Sequence, residues 1–223
     1  MMRHPFLLLA THADRISVMF LEKADDVHDD ERTAALCGGE PHATAKQVHG
    51  GLTVTVTGPG RDGRDADGLV TRTPGLLLSS RSADCQTFVA YDPATHTAGV
   101  LHAGWRGLLA HAIAHFVATL HDEHGVAPEN LLVGAAPSLC QACSEFTDPQ
   151  GELPGIDPHF FRQRLVDLRG IADAQFADAG VTKVERDARC TRCMSDVLWS
   201  YRGPDRDAVA KGSARNVLAC RLL

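Results

Sequence analysis

Hydrophobic and polar positions alternate most regularly in the middle of the chain. Leu52, Val54 and Val56 are separated by threonines, the period-two pattern of a half-buried strand, and Gly58-Pro59-Gly60 ends the run. The Gly- and Asp-rich stretch from Arg61 to Gly68 reads as a loop. Short apolar runs at Leu69–Thr71, Leu76–Ser80, Thr87–Tyr91 and Ala98–Leu101, each bounded by turn residues, predict strands. The spacing then changes to threes and fours. Leu109, Ala112, Ile113, Phe116, Val117 and Leu120 form one apolar stripe, predicting a helix over 104–124 that Gly125 stops. Leu131–Gly134 predicts a buried strand ended by Pro137, and the prolines and glycines of 147–158 predict a loop. Helices are expected over Pro158–Arg169 and Ala172–Ala179, and a strand over Val181–Glu185. The mixed pattern of Ala208–Leu222 favours helix. Strands and helices mingle without a strict βαβ rhythm. The expected class is therefore α+β, a mixed α/β single domain over residues 1–223 with mixed sheets flanked by helices.

Composition narrows the function classes. The 223 residues, 44% hydrophobic and 22% charged, match an ordinary globular domain long enough to bury a core without disulfides. A net charge of −6 argues against a dedicated nucleic-acid or anionic-membrane partner, which would call for a basic stripe. No apolar run approaches the ~20 residues of a membrane span, and Phe6–Ala10 is shorter than a signal-peptide core of roughly 7–15 residues. An odd count of 7 cysteines without an export signal predicts reduced thiols and a cytoplasmic location. With 12 histidines, the chain is also rich in metal-ligating side chains.

Several patterns compete as sites. Cys140-Gln-Ala-Cys143 and Cys190-Thr-Arg-Cys193 have the spacing of two zinc knuckles, although their separation is long for a zinc ribbon. The alternative is four small apolar side chains that fall in pairs. His111 and His115 have the zincin spacing but lack the Glu after the first His, and lie opposite the apolar stripe on a solvated face. Asp62, Asp65 and Asp67 lack the closing Glu of an EF-hand and read as a turn. His49, Cys85 and His102 each fall at a strand end or turn. Two imidazoles and a thiolate are a good three-donor zinc set, but the same trio suits a cysteine nucleophile with a histidine base. Spacing alone does not bring them together.

The chain resembles the laccase-domain proteins, also called multicopper-polyphenol-oxidase-like, YfiH-like or peptidoglycan-editing-factor proteins. The matching motifs are Gln47-Val-His49-Gly50, Ala66-Asp67-Gly68-Leu69-Val70-Thr71, Ala83-Asp84-Cys85 and His102-Ala-Gly-Trp-Arg-Gly107. Gly134-Ala-Ala-Pro137-Ser138-Leu139, Cys190-Thr191 and Ser200-Tyr201-Arg202 follow in the family's order. Residues 1–42 diverge. Leu198-Trp199, Gly212-Ser-Ala-Arg215 and Ser144 are further departures.

The resemblance implies a YfiH-like fold with a transition metal held by His49, Cys85 and His102. Zn2+ is the expected ion, with Cu2+ the second candidate. It also implies a purine nucleoside and phosphate as small-molecule partners, in a monomer or weak homodimer. Family members are credited with zinc-dependent purine nucleoside phosphorolysis, methylthioadenosine phosphorolysis and adenosine deamination. Others carry the labels phenol oxidase and peptidoglycan editing, and the fold has been likened to Cys–His hydrolases. Asp84 is the candidate proton carrier beside Cys85. Arg106, at the start of the predicted 104–124 helix, and Arg81 are the candidate phosphate binders. A multicopper laccase needs many more paired histidines than His49 and His102.

Overall fold

The computed structural model describes residues 2–212 and 214–223, with the side chains of Asp62 and Arg64 outside the description. Its strands are β1 (Met2–Arg3), β2 (Ile16–Leu21), β3 (His42–Lys46), β4 (Thr53–Thr55), β5 (Gly60–Asp65), β6 (Gly68–Thr71) and β7 (Leu77–Ser82). They continue as β8 (Gln86–Asp92), β9 (Thr97–Ala103), β10 (Leu132–Ala135), β11 (Phe161–Arg162), β12 (Leu165–Val166), β13 (Lys183–Arg186) and β14 (Asn216–Leu222). The helices are α1 (Leu7–Ala10), α2 (Asp30–Leu36), α3 (Trp105–Leu109), α4 (Ala112–His124), α5 (Pro149–Glu152), α6 (Leu168–Asp178) and α7 (Arg206–Ala210).

Two six-stranded mixed sheets have the orders β1-β2-β14-β7-β3-β5 and β13-β10-β8-β9-β6-β4. Strand alternation explains how they pack. In β2, Ile16, Val18 and Phe20 join the core shared with Val89 and Tyr91 of β8, while Met19 and Leu21 face the other way, onto Val27 and Ala34 beside and within α2. In β8, Phe88 and Ala90 instead meet Ile113, Phe116 and Leu120 of α4 and Phe176 of α6. Each sheet is thus buried on both faces, which is why these strands read as nearly continuous apolar runs. The fold is mixed α+β, as expected.

The predicted strands at 52–56, 69–71, 76–80, 87–91, 98–101, 131–134 and 181–185 correspond to β4, β6, β7, β8, β9, β10 and β13. Five expectations need correction. The stretch 147–158, expected to be a loop, carries the one-turn helix α5, opened by Pro149 at its first position. The helix predicted over 104–124 is two helices, α3 and α4, because His111 adopts a left-handed φ of 54° and breaks the ladder. Pro158–Arg169 is not a helix. A single 3-10 turn at Pro158–Phe160 leads into the β11–β12 hairpin, and Asp167 caps α6 by accepting from Gly170 N–H. The stretch Arg61–Gly68 contains β5, which pairs in parallel with β3. The expected C-terminal helix is confined to α7, and Asn216–Leu222 is instead the strand β14, inserted between β2 and β7. Leu218, Cys220 and Leu222 face one core and Val217 and Ala219 the other, so tertiary burial on two sides overrides local preference. Ser213 of the Gly212–Arg215 departure lies outside the described residues.

Candidate metal centre and its cleft

A cleft of about 720 Å³ opens at the C-terminal ends of β3, β7 and β9. His49 follows β3, Cys85 sits in the turn after β7, and His102 lies near the end of β9. Their ligand atoms all fall within 4.8 Å of one another. The rings of His49 and His102 meet edge to face with centroids 4.9 Å apart.

A buried carboxylate builds this arrangement. Asp67, just before β6, accepts the backbone N–H groups of Val48 (3.2 Å), His49 (3.0 Å) and Gly50 (2.7 Å). These bonds hold a loop in which His49 has a left-handed φ of 61° and an exposed ring. Asp67 also lies 2.8 Å from Nδ1 of His102. Burial pushes the Asp67 carboxyl up, yet the hydrogen bond to His102 and those from the loop outweigh it and hold the group ionised. An ionised carboxylate only accepts, so His102 Nδ1 donates and Nε2 is left for Cys85 or a metal. Gln47 locks the same loop to β7, donating to Arg81 C=O and accepting from Arg81 N–H, both at 2.9 Å.

Cys85 is equally constrained. A Cβ on residue 104 would stand 2.7 Å from its Sγ and 3.4 Å from the His49 ring, so Gly104 leaves the space that the cluster occupies. Burial raises the Cys85 thiol, but the charge and hydrogen bond of His102, then those of His49, bring it down to about 6. Burial likewise lowers His102, but Cys85 and Asp67 raise it to about 9. Without a metal the two form a thiolate–imidazolium pair. Two imidazoles and a thiolate facing one point, with the far nitrogen of His102 fixed by a carboxylate, also fit a tetrahedral transition-metal ion with its fourth position open to the cleft.

The cleft wall is cationic although the chain is acidic. Arg61, Arg81, Arg106, Arg202 and Arg215 all line it. Arg106 is exposed in α3, its guanidinium 4.1 Å from the Trp105 ring centroid. Arg81 is half-buried, donates to His28 C=O at 2.8 Å and faces Asp30 at 3.7 Å. Arg215 donates to the carbonyls of Val209 and Ala214, both at 2.6 Å. Trp105 and the exposed Tyr201 add two aromatic faces.

Asp84 has a positive φ of 91° and accepts from Thr191 Oγ1, Ser200 Oγ and Arg202 N–H, each at 2.7 Å. Its C=O also accepts from Leu139 N–H. Both carboxylate oxygens are therefore committed to fastening the Cys85 turn to the C-terminal third of the chain.

Other sequence candidates fall elsewhere. His111 and His115 are exposed, as their place opposite the stripe predicts. Asp67 leaves the supposed Asp-rich turn to become the organiser of the trio, and the side chain of Asp62 lies outside the described residues. The four cysteines of the C-x-x-C pairs do not line the cleft. Spacing had singled out Asp67 only as a turn carboxylate, and Gln47, Arg202, Arg61 and Arg215 not at all. The motif matches touched Asp67, Gln47 and Arg202, Arg215 entered only in a departure from the family's pattern, and no local signal marks Arg61.

Comparison with known proteins bears on the family and the fold. The family model described as multi-copper polyphenol oxidoreductase laccase matches residues 10–220. Purine nucleoside phosphorylase ORF3 of Streptomyces griseus is 31% identical over 185 residues, covering 77% of this chain and 74% of its own. Adenosine deaminase RL5, from an unknown prokaryotic organism, is 30% identical over 149 residues, covering 61% and 56%. A crystal structure of the Bacillus licheniformis hypothetical protein YfiH superposes with a TM-score of 0.79 at 20% identity, covering 93% of each chain, and supports the fold. Among the described residues no helix is long and apolar enough to cross a membrane. With a model match over nearly its whole length and the His49–Cys85–His102 cluster assembled, the chain belongs to the multi-copper polyphenol oxidoreductase laccase family.

Proposed function

We propose that the chain is a zinc-dependent purine nucleoside enzyme. It cleaves adenosine, inosine, guanosine or methylthioadenosine with phosphate and deaminates adenosine at the same centre. The observation that carries this reading is the open three-donor cluster in a cleft that five arginines also line. Relatives named purine nucleoside phosphorylase and adenosine deaminase support it. The cleft volume, about 720 Å³, lies in the range of roughly 300–1,000 Å³ common for small-molecule sites.

His49, Cys85 and His102 would hold the ion. When bound, it supplies a Lewis acid and lowers the pKa of a coordinated water. The chain supplies the rest. Arg106 and Arg81 bind phosphate oxygens, holding the anion for attack at C1′ of the ribose as the purine departs. The rings of Trp105 and Tyr201 give the base a surface to stack on. Asp67 keeps His102 in one tautomer. Asp84 anchors the Cys85 turn through three hydrogen bonds, which leave one acceptor site, on Oδ2, for a proton.

The test is turnover of adenosine and inosine by zinc-loaded protein, with and without phosphate. Base and ribose 1-phosphate should form only with phosphate, while inosine should form from adenosine without it. Both reactions should stop on complete chelation.

The thiolate–imidazolium pair favours a second reading, a Cys85–His102 hydrolase acting on amide bonds such as those of peptidoglycan precursors. It predicts amidase activity that survives chelation and is blocked by alkylation of Cys85. A copper-dependent phenol oxidase is the weakest alternative, because among the described residues only one cluster combines histidine with cysteine.

A further inference from the structure

We propose that Cys140, Cys143, Cys190 and Cys193 hold a second metal ion, a zinc bound by four thiolates, which staples the cleft wall. The four Sγ atoms lie within 4.8 Å of one another although the two pairs are about fifty residues apart in sequence. Cys193 Sγ is 4.0 Å from that of Cys140 and 3.5 Å from that of Cys143. A zinc with bonds of ~2.3 Å spaces tetrahedral sulfurs by roughly 3.8 Å, so these separations bracket one ion.

The backbone has the form of two knuckles. Cys143 N–H donates to Cys140 C=O at 3.0 Å, and Met194 N–H to Cys190 C=O at 3.0 Å, closing a turn at each pair. A parallel bridge between Ser138 and Cys190 sets the turns side by side. Cys140 N–H points at Cys190 Sγ, 3.3 Å away, as an amide does toward a charged thiolate. Arg169 crosses between the segments, donating to Ser138 C=O at 2.6 Å and Arg189 C=O at 2.7 Å. It places a cation beside a site whose four thiolates and one divalent ion carry net negative charge. Apolar packing accounts for Cys143 and Cys190, which are buried, but not for Cys193, which is exposed and gives an ion its way in. Disulfides do not account for the cluster, since all four cysteines are free thiols and Cys143 and Cys193, at 3.5 Å, are far beyond a bond of about 2.05 Å.

The site connects to the cleft. Thr191, between the cysteines of the second pair, and Leu139, just before the first, both bond Asp84, the neighbour of Cys85. A metal at this point ties those two segments together and holds the Cys85 turn between them.

The test uses the full chain as Cys85→Ala, which removes the one thiolate of the cleft cluster. Purified without added metal, it should retain zinc. Cobalt exchanged into it should show strong thiolate-to-cobalt absorption, and Cys85→Ala/Cys193→Ser should lose about one metal per chain together with that band. If the double variant does not fold, Cys85→Ala alone decides. Its four C-x-x-C thiols should resist alkylation as a group until a chelator is added, with no reductant needed. Cobalt bound without the thiolate band, thiols that label freely before chelation, or a mass short by two hydrogens per bridge would each overturn the proposal.

Discussion

The two cysteine-bearing clusters differ in what surrounds their sulfurs. Cys85 shares its site with two imidazoles, a buried carboxylate behind one of them, and an open cleft of arginines. Cys140, Cys143, Cys190 and Cys193 face each other, backbone amides and the Arg169 cation, and none of them lines that cleft. Three donors leave a coordination position for chemistry, whereas four saturate the ion and serve structure. Ligand count and surroundings, rather than the presence of cysteine, separate a reactive centre from a staple.

Removing a cleft ligand should have the largest effect on turnover. Cys85→Ala or His102→Ala is expected to reduce nucleoside turnover by about a thousandfold or more, the rate equivalent of several kcal/mol of transition-state stabilisation. Cys193→Ser should lower thermal stability instead, and its turnover should fall much less. Equal losses in steady-state assays would erase the contrast between the clusters.

Asp67→Asn tests whether the carboxylate organises the open site. It keeps the shape but offers His102 and three backbone amides a weaker acceptor, so metal affinity should fall by about 10–100-fold. Titration against a competing chelator reads this directly, and an unchanged affinity would demote Asp67 to a loop brace.

Arg106→Ala should raise the KM for phosphate by about tenfold, the scale of one charge-assisted hydrogen bond, and leave deamination intact. No change in phosphate KM would remove Arg106 from the anion site.

The smallest effect concerns pH. In metal-free protein Cys85 is depressed to about 6 and His102 raised to about 9. The Cys85 contribution to stability is lost as pH falls through about 6, and that of His102 as pH rises through about 9. Alkylation of Cys85, followed by mass spectrometry of its peptide, should therefore be level between those limits and slow below about 6. A rate still climbing through pH 9 would show an ordinary thiol and count against the hydrolase reading.

Much of the second sheet was legible in the chain. The runs that became β8 and β9 are strong because both of their faces are buried, and the stripe of α4 because one face packs on the second sheet. The first sheet was harder to read. Residues Asn216–Leu222 carry a short apolar run compatible with either element, and only insertion between β2 and β7 decides for a strand. The break at His111 was equally hidden, since the apolar stripe runs on unbroken while the backbone turns left-handed.

By itself, the sequence determined the fold class, the motifs carrying His49, Cys85 and His102, and two C-x-x-C pairs, because local spacing and residue chemistry are written in order along the chain. Tertiary structure decided which of these meet. It made Asp67 the partner of His102 and of the His49 loop, set Asp84 as the anchor of the Cys85 turn, and lined the cleft of an acidic protein with five arginines. The physical reason is range: hydrophobic periodicity is fixed by neighbours a few residues away, whereas hydrogen bonds, ion pairs and metal sites join residues that only the folded chain brings within a few ångströms.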